Sequence, residues 1–238
     1  MKYINPENLY DYGFLNEDSL CRPVRAVCVS FHGYTDATMF KESNETAKAL
    51  GEKGIAWLFP YYSVWGWLGN NSLLFIEDVI DAAYERLGIT DDVPFIVSGG
   101  SMGGLYALNY LMIGKRRAIG CALNCPVTDV ERMFLDKPDV RRAILSAHIE
   151  KEGDLLEILR SYSPVNFTNQ LPKIPYYIVF GESDVYFMES QMPPMREKLK
   201  ESNLNYTLVT QPEMKHCDLK SHPLLNKAFC DFLISLPD

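Results

Sequence analysis

Three residues far apart in the chain, Ser101, Asp184 and His216, are of the types that together carry out acyl transfer. Ser101 is the centre of Gly99-Gly100-Ser101-Met102-Gly103, a G-x-S-x-G pentapeptide. The apolar run Phe95, Ile96, Val97 precedes it, and Leu105, Leu108, Leu111 and Met112 follow at helical spacing. In that strand-to-helix setting the motif is a sharp elbow that lifts the serine hydroxyl above a sheet edge, with glycines where the two backbones must approach. By chance alone the pentapeptide should occur roughly 0.1 times in a chain of this length. A serine hydroxyl is a poor nucleophile at neutral pH and needs a histidine base that is itself held by a carboxylate. Those partners should follow in the order Ser, Asp, His. Asp184 lies four residues beyond the apolar run Tyr176 to Phe180, and His216 lies in the loop before the last helical segment. Asp129 is a rival acid and His222 a rival base, although His222 precedes Pro223 and suits the entry to a helix. Two backbone N–H groups should receive the oxyanion. One is that of Met102, at a helix start, and the other that of Tyr34, in the His32-Gly33-Tyr34 turn, with Gly33 permitting close approach. His32 itself reads as a loop-bracing hydrogen bonder, and no second histidine or carboxylate pair offers metal spacing. Tyr61, Tyr62, Trp65 and Trp67 form an aromatic loop that could wall a substrate pocket.

The elements around these residues alternate. Residues 1 to 23 offer at most one short edge strand. Strands are expected at Arg25 to Phe31, Ile55 to Phe59, Phe95 to Ser98, Ala118 to Leu123, Tyr176 to Phe180 and Tyr206 to Val209. Helices are expected at about Thr38 to Lys53, Ser72 to Leu87, the stretch after Ser101, Met188 to Glu201 and Leu224 to Leu236. Such alternation predicts an α/β fold, a mostly parallel sheet with helices on both faces. Ligands bind at the carboxyl ends of the strands in such sheets, which is where Ser101, Asp184 and His216 fall. Between about residues 126 and 172 the alternation stops, and helical segments at Val130 to Leu135, Val140 to Glu150 and Leu155 to Tyr162 read as a small lid inserted into a single domain. A lengthened crossover helix is the alternative.

Composition narrows the function. The chain has 238 residues, 47% hydrophobic and 23% charged, as expected of a globular protein with a full core. A formal net charge of −8 disfavours nucleic acid or an anionic membrane as partner. Lys115-Arg116-Arg117 is the densest cationic run, at a helix end where cations suit the dipole. No apolar run approaches the roughly 18 residues of a membrane span, and the N-terminus lacks a signal-like apolar stretch, so a cytoplasmic protein is expected. The six cysteines sit mostly in apolar patterns and read as buried thiols.

The His-Gly-Tyr-Thr-Asp turn (32–36), the GGSMGG elbow (99–104), Ser163 to Phe167, the strand followed by Gly181-Glu182-Ser183-Asp184, and Lys215-His216-Cys217-Asp218 together resemble the α/β-hydrolase superfamily, in its esterase and prolyl-oligopeptidase-type branch. The resemblance covers most of the chain, from the Arg25 strand to the last helix. It implies a serine hydrolase without a cofactor, with Ser101, Asp184 and His216 as its triad and a small ester or short peptide as substrate. The amino-terminal part is short for the family's leading strands, and there is no propeller-sized domain to filter peptides. Both departures favour a small carboxylic-ester hydrolase. A small serine peptidase is the alternative, and a non-catalytic binding module that kept the fold is a third reading. A histidine base should give a rate that rises with pH, with a midpoint expected between about 6 and 7.5.

Overall fold

The computed structural model describes residues 3–69, 71–187 and 189–238. Its strands are β1 (Gly13–Leu15), β2 (Ala26–Phe31), β3 (Ile55–Pro60), β4 (Phe95–Gly100), β5 (Ala118–Asn124), β6 (Pro175–Gly181) and β7 (Asn205–Gln211). They form one sheet in the order β1-β3-β2-β4-β5-β6-β7. β1 pairs antiparallel with β3, and the other pairs are parallel. β3 is buried along its whole length and β2 everywhere but Ser30, as expected of strands covered on both faces, whose apolar runs do not alternate. The register brings Gly99 beside Phe31, Gly100 beside Asn124, and Gly181 beside Gln211. The carboxyl ends of β2, β4, β5, β6 and β7 therefore open at one edge, and the loops leaving them share one neighbourhood.

The helices are α1 (Glu45–Gly51), α2 (Ser72–Leu87), α3 (Met102–Ile113), α4 (Val130–Asp136), α5 (Pro138–Ala147), α6 (Leu155–Tyr162), α7 (Met192–Glu201) and α8 (Pro223–Ser235). The expected helix from Thr38 is shortened to α1. Asp36 Oδ1 accepts the Thr38 N–H (3.0 Å) in a local turn, and Asn44 caps the helix by accepting the Ala47 N–H (2.9 Å), so regular structure starts only there. The helix expected from Met188 begins at Met192, with Pro in its first turn, and Met188 lies outside the described residues. The three helices expected between residues 126 and 172 are present as α4, α5 and α6.

Arg116 is not a dipole-complementing surface cation. Its guanidinium pairs with Asp81 (2.9 Å) and Asp91 (2.8 Å), lies 3.7 Å from Glu77, and stacks over the Tyr84 ring, so it ties the end of α3 to α2. Sequence spacing could not reveal this, since the partners lie on another element.

Candidate active site

Ser101 occupies the turn between β4 and α3 with φ 55° and ψ −124°, a strained backbone for a non-glycine residue. The turn is held by the Ser101 N–H on the Asn124 carbonyl (3.0 Å) and by the Ser101 carbonyl, which accepts from Gly104 (3.0 Å) and Val127 (2.9 Å). A Cβ at Gly99 would come within 2.3 Å of the Gly103 carbonyl oxygen, and one at Gly103 within 2.0 Å of the Phe31 carbonyl oxygen. The elbow thus requires glycine at both positions because backbone meets backbone there.

Asp184 and His216 leave neighbouring strands, β6 and β7, in loops that are pinned together. The Ser183 N–H donates to the Met214 carbonyl (3.0 Å) and the Glu182 N–H to that of Gln211 (3.0 Å). A Cβ at Gly181 would meet the Met214 carbonyl oxygen at 2.2 Å, so glycine lets the His216 loop cross. Asp184 is buried, and its Oδ1 accepts from the N–H groups of Tyr186 (2.9 Å) and Phe187 (3.2 Å). Its Oδ2 lies 2.7 Å from His216 Nδ1. The imidazole is wedged edge-on against Phe187, with ring centres 4.4 Å apart. Its Nε2 lies 3.8 Å from the Cys217 sulfur, and among the described residues no hydrogen bond joins it to Ser101 Oγ. Such bonds are often long before substrate binds and tighten afterwards.

Burial pushes the His216 imidazole down, but the hydrogen bonds and charges of Asp184 and Cys125 outweigh it and lift the pKa to about 9. That is above the window expected from sequence, because the buried carboxylate and a second, unforeseen anionic neighbour both favour the imidazolium. Hydrogen bonds from Cys217 and His216 hold the Cys125 thiol down at about 6, against the opposing effect of burial. The same contact pushes the Cys217 thiol up.

Ser101, His216 and Cys217 line one cavity of about 580 Å³. Gly33 and Tyr34 contribute from the β2 loop, and Trp67, Phe59, Met133 and Val140 supply apolar wall. Thr35, Trp67, Ser101 and Cys217, with φ of 62°, 38°, 55° and 56°, all line it. Backbone strain collected in one place is typical of functional sites. The N–H groups of Met102 and Tyr34 have no backbone acceptor among the described residues, which leaves both free for a ligand. His32 braces the turn, stacked on Tyr62 with ring centres 3.8 Å apart and its ring nitrogens 3.0 Å from the carbonyls of Gly33 and Tyr62.

A family profile described as the prolyl oligopeptidase family matches residues 50–228. The chain belongs to the prolyl oligopeptidase family. Comparison with curated proteins found no match. Among solved structures, the chain is similar to a puromycin-hydrolyzing peptidase of Mycobacterium tuberculosis, at 15% identity and TM-score 0.71 over 90% of this chain and 34% of that one. It is likewise similar to an S-formylglutathione hydrolase from Agrobacterium tumefaciens, at 15% identity and TM-score 0.71 over 94% of this chain and 87% of that one. Est1E from Butyrivibrio proteoclasticus matches at 17% identity and TM-score 0.66, over 94% of this chain and 93% of that one. The chain thus spans about a third of the mycobacterial peptidase and most of the other two. At such identities these likenesses establish the α/β-hydrolase fold.

Within this prolyl oligopeptidase family chain, the residues singled out from sequence divide. Ser101, His216 and Tyr34 reach the cavity, with Asp184 buried behind His216. Of the aromatic loop only Trp67 does. Tyr61, Tyr62 and Trp65 line a second cavity of about 340 Å³ with Phe75 and Ala147, because the left-handed turn at Trp67 and Leu68 swings the loop over α3. The Tyr106 hydroxyl accepts the Leu68 N–H (3.1 Å) and holds it there. Asp129 is engaged elsewhere, capping α4 through the Arg132 N–H (2.9 Å), and His222 stands at the entry to α8. Phe59, Phe187, Met133, Val140 and Cys125 escaped the sequence reading. Each sits in an ordinary apolar pattern, and only the tertiary fold brings the first four to the cavity with Ser101 and Cys125 beside His216.

Proposed function

We propose that this protein is a serine hydrolase that cleaves carboxylic esters through an acyl-serine intermediate. The observation that carries the reading is that a strained elbow serine and a histidine bonded at 2.7 Å to a buried carboxylate line the same cavity. Ser101 Oγ attacks the ester carbonyl carbon while His216 Nε2 takes its proton, after the imidazole tilts from Cys217 toward Ser101. The tetrahedral oxyanion is received by the N–H groups of Met102 and Tyr34. Collapse of this intermediate breaks the bond to the alkoxy oxygen, which leaves as an alcohol with the proton from His216. Water then attacks the acyl-serine by the same route and releases the acid. Asp184 holds the Nδ1–H tautomer and stabilises the imidazolium without taking its proton. Residues 126–172 serve as the lid, since Met133, Lys137, Asp139 and Val140 reach the cavity from α4, α5 and the turn between them.

The similar structures weigh toward esters, since the S-formylglutathione hydrolase is matched over most of its length and the puromycin-hydrolyzing peptidase over a third. Aminoacyl-amide hydrolysis is the second reading, favoured by the carboxylates of Asp36 and Asp139 at the cavity, which could receive a free ammonium. Kinetics on matched short-chain esters and aminoacyl amides separate the two. Ser101→Ala should lower kcat by roughly 10⁴ to 10⁶ and abolish labelling by a serine-directed phosphonate. Labelling that survives the substitution overturns the assignment.

A further inference from the structure

His216 Nε2 and the sulfurs of Cys125 and Cys217 lie within 4.8 Å of one another. Among the described residues this is the one cluster of three metal-binding side chains. The chain does not place them together by accident of sequence. Cys125 stands at the end of β5 and Cys217 ninety-two residues later, with the Cys217 N–H directed at the Cys125 sulfur (3.4 Å). Both cysteines have left-handed backbone, φ 45° and 56°, which unbranched L residues seldom adopt. Cys217 packs so closely on the elbow that a Cβ at Gly100 would stand 3.3 Å from its sulfur.

From this geometry we propose that Cys125, His216 and Cys217 form a binding site for a soft divalent cation, zinc in the first instance, and that zinc there switches off the hydrolase chemistry proposed above. Two thiolates and an imidazole select zinc over calcium or magnesium, which take oxygen ligands. Tetrahedral coordination needs sulfurs about 3.8 Å apart and sulfur to nitrogen about 3.5 Å, from Zn–S of about 2.3 Å and Zn–N of about 2.0 Å. The present Cys217 Sγ to Nε2 distance is 3.8 Å, so small side-chain rotations close the site. The Asp184 carboxylate at 2.7 Å from Nδ1 completes a carboxylate–histidine–metal arrangement, fixing the tautomer that leaves Nε2 free to ligate. Binding releases two protons to solvent, one from the Cys217 thiol and one from His216 Nε2, because the ligands must be thiolate and neutral imidazole, and the fourth position faces the cavity beside Ser101. His216 and Cys217 line that cavity, which gives the ion a route to buried Cys125. The switch follows from one lone pair. Nε2 cannot hold zinc and accept the Ser101 proton together.

The inhibition rests on the hydrolase reading, whereas binding does not, and the experiment keeps them apart. Zinc is titrated calorimetrically into protein held reduced by a phosphine, using wild type, Ser101→Ala and Cys125→Ser/Cys217→Ser. Cobalt spectra are recorded alongside, with ester hydrolysis by wild type and the cysteine variant each referred to its own metal-free rate. We expect one zinc per chain in wild type and Ser101→Ala, a thiolate-to-cobalt charge-transfer band, and affinity at least ~100-fold weaker with that band lost in the double variant. Inhibition of wild type should saturate over the same zinc range as binding, and the variant should resist it. No zinc uptake by the reduced wild type, or uptake and cobalt spectrum unchanged in the double variant, overturns the site. Binding as expected without inhibition overturns the switch alone, and binding without any hydrolysis in metal-free wild type overturns the hydrolase reading while leaving the site. If the double variant does not fold, Cys217→Ser, partly buried at the cavity, carries the same comparison, and the charge-transfer band decides from wild type alone.

Discussion

In the proposed mechanism His216 must be neutral to take a proton from Ser101, yet its neighbours favour the imidazolium. With the folded value lifted to about 9, the neutral fraction grows only as pH rises, so kcat/KM should climb through neutrality and approach its midpoint near that value. Asp184→Asn removes the carboxylate, and its residual activity should show the rise at lower pH. Cys125→Ser should move it in the same direction by removing the second anionic neighbour. A pH series of initial rates on an ester whose chemistry is rate-limiting checks both. A profile flat from pH 5 to 8 would count against a histidine base.

Whole elements set the distances that these residues exploit. Gly103 lies where α3 begins against β2, so Gly103→Ala forces a Cβ onto the Phe31 carbonyl, 2.0 Å away. The elbow must shift, at a cost of about 3 kcal/mol, visible as a lower denaturant midpoint and a loss of activity beyond what stability explains. The aromatic loop gives a second prediction, since Trp67 lines the cavity with Ser101 whereas Trp65 is 58% exposed and faces the other one. Trp67→Ala should raise KM for esters by roughly tenfold, on the order of one buried apolar contact, while Trp65→Ala leaves it nearly unchanged. Michaelis constants for the two variants on one ester series check this. Equal effects would return the binding role to the whole loop.

At the scale of the molecule, the Asp184–His216 pair links pH to stability. The His216 pKa is about 9 when folded, against about 6.5 for an unperturbed histidine, so the folded chain holds the proton more tightly. The resulting stabilisation is fully present below about 6.5 and is lost as pH rises through about 9; it is on the order of 3 kcal/mol. Thermal melts of wild type and Asp184→Asn should therefore differ most near pH 6, with the gap closing toward pH 10. A gap that widens with pH would mean that the pair does not hold the proton as described.

Much of this protein is legible in its sequence. The unbroken apolar runs of β2 and β3 announce strands buried on both faces, and G-x-S-x-G between a strand and a helix has one mechanical meaning, because only glycine permits backbones at 2.0 to 2.3 Å from a would-be Cβ. The positions of Asp184 and His216 after β6 and β7 followed from topology alone. Other features depended on how loops fold over the sheet edge, which no local pattern encodes. Trp67 turns toward Ser101 while Trp65 turns away, because of left-handed backbone and a hydrogen bond from another helix. Arg116 finds its acids on α2 (Glu77 and Asp81) and in the loop after it (Asp91), which lie beside it only once the sheet has formed. Cys125 and Cys217, ninety-two residues apart and unremarkable in sequence, become neighbours of His216 because β5 and β7 end at the same edge. Strand order brings those ends together, and sequence spacing carries no distance between strands.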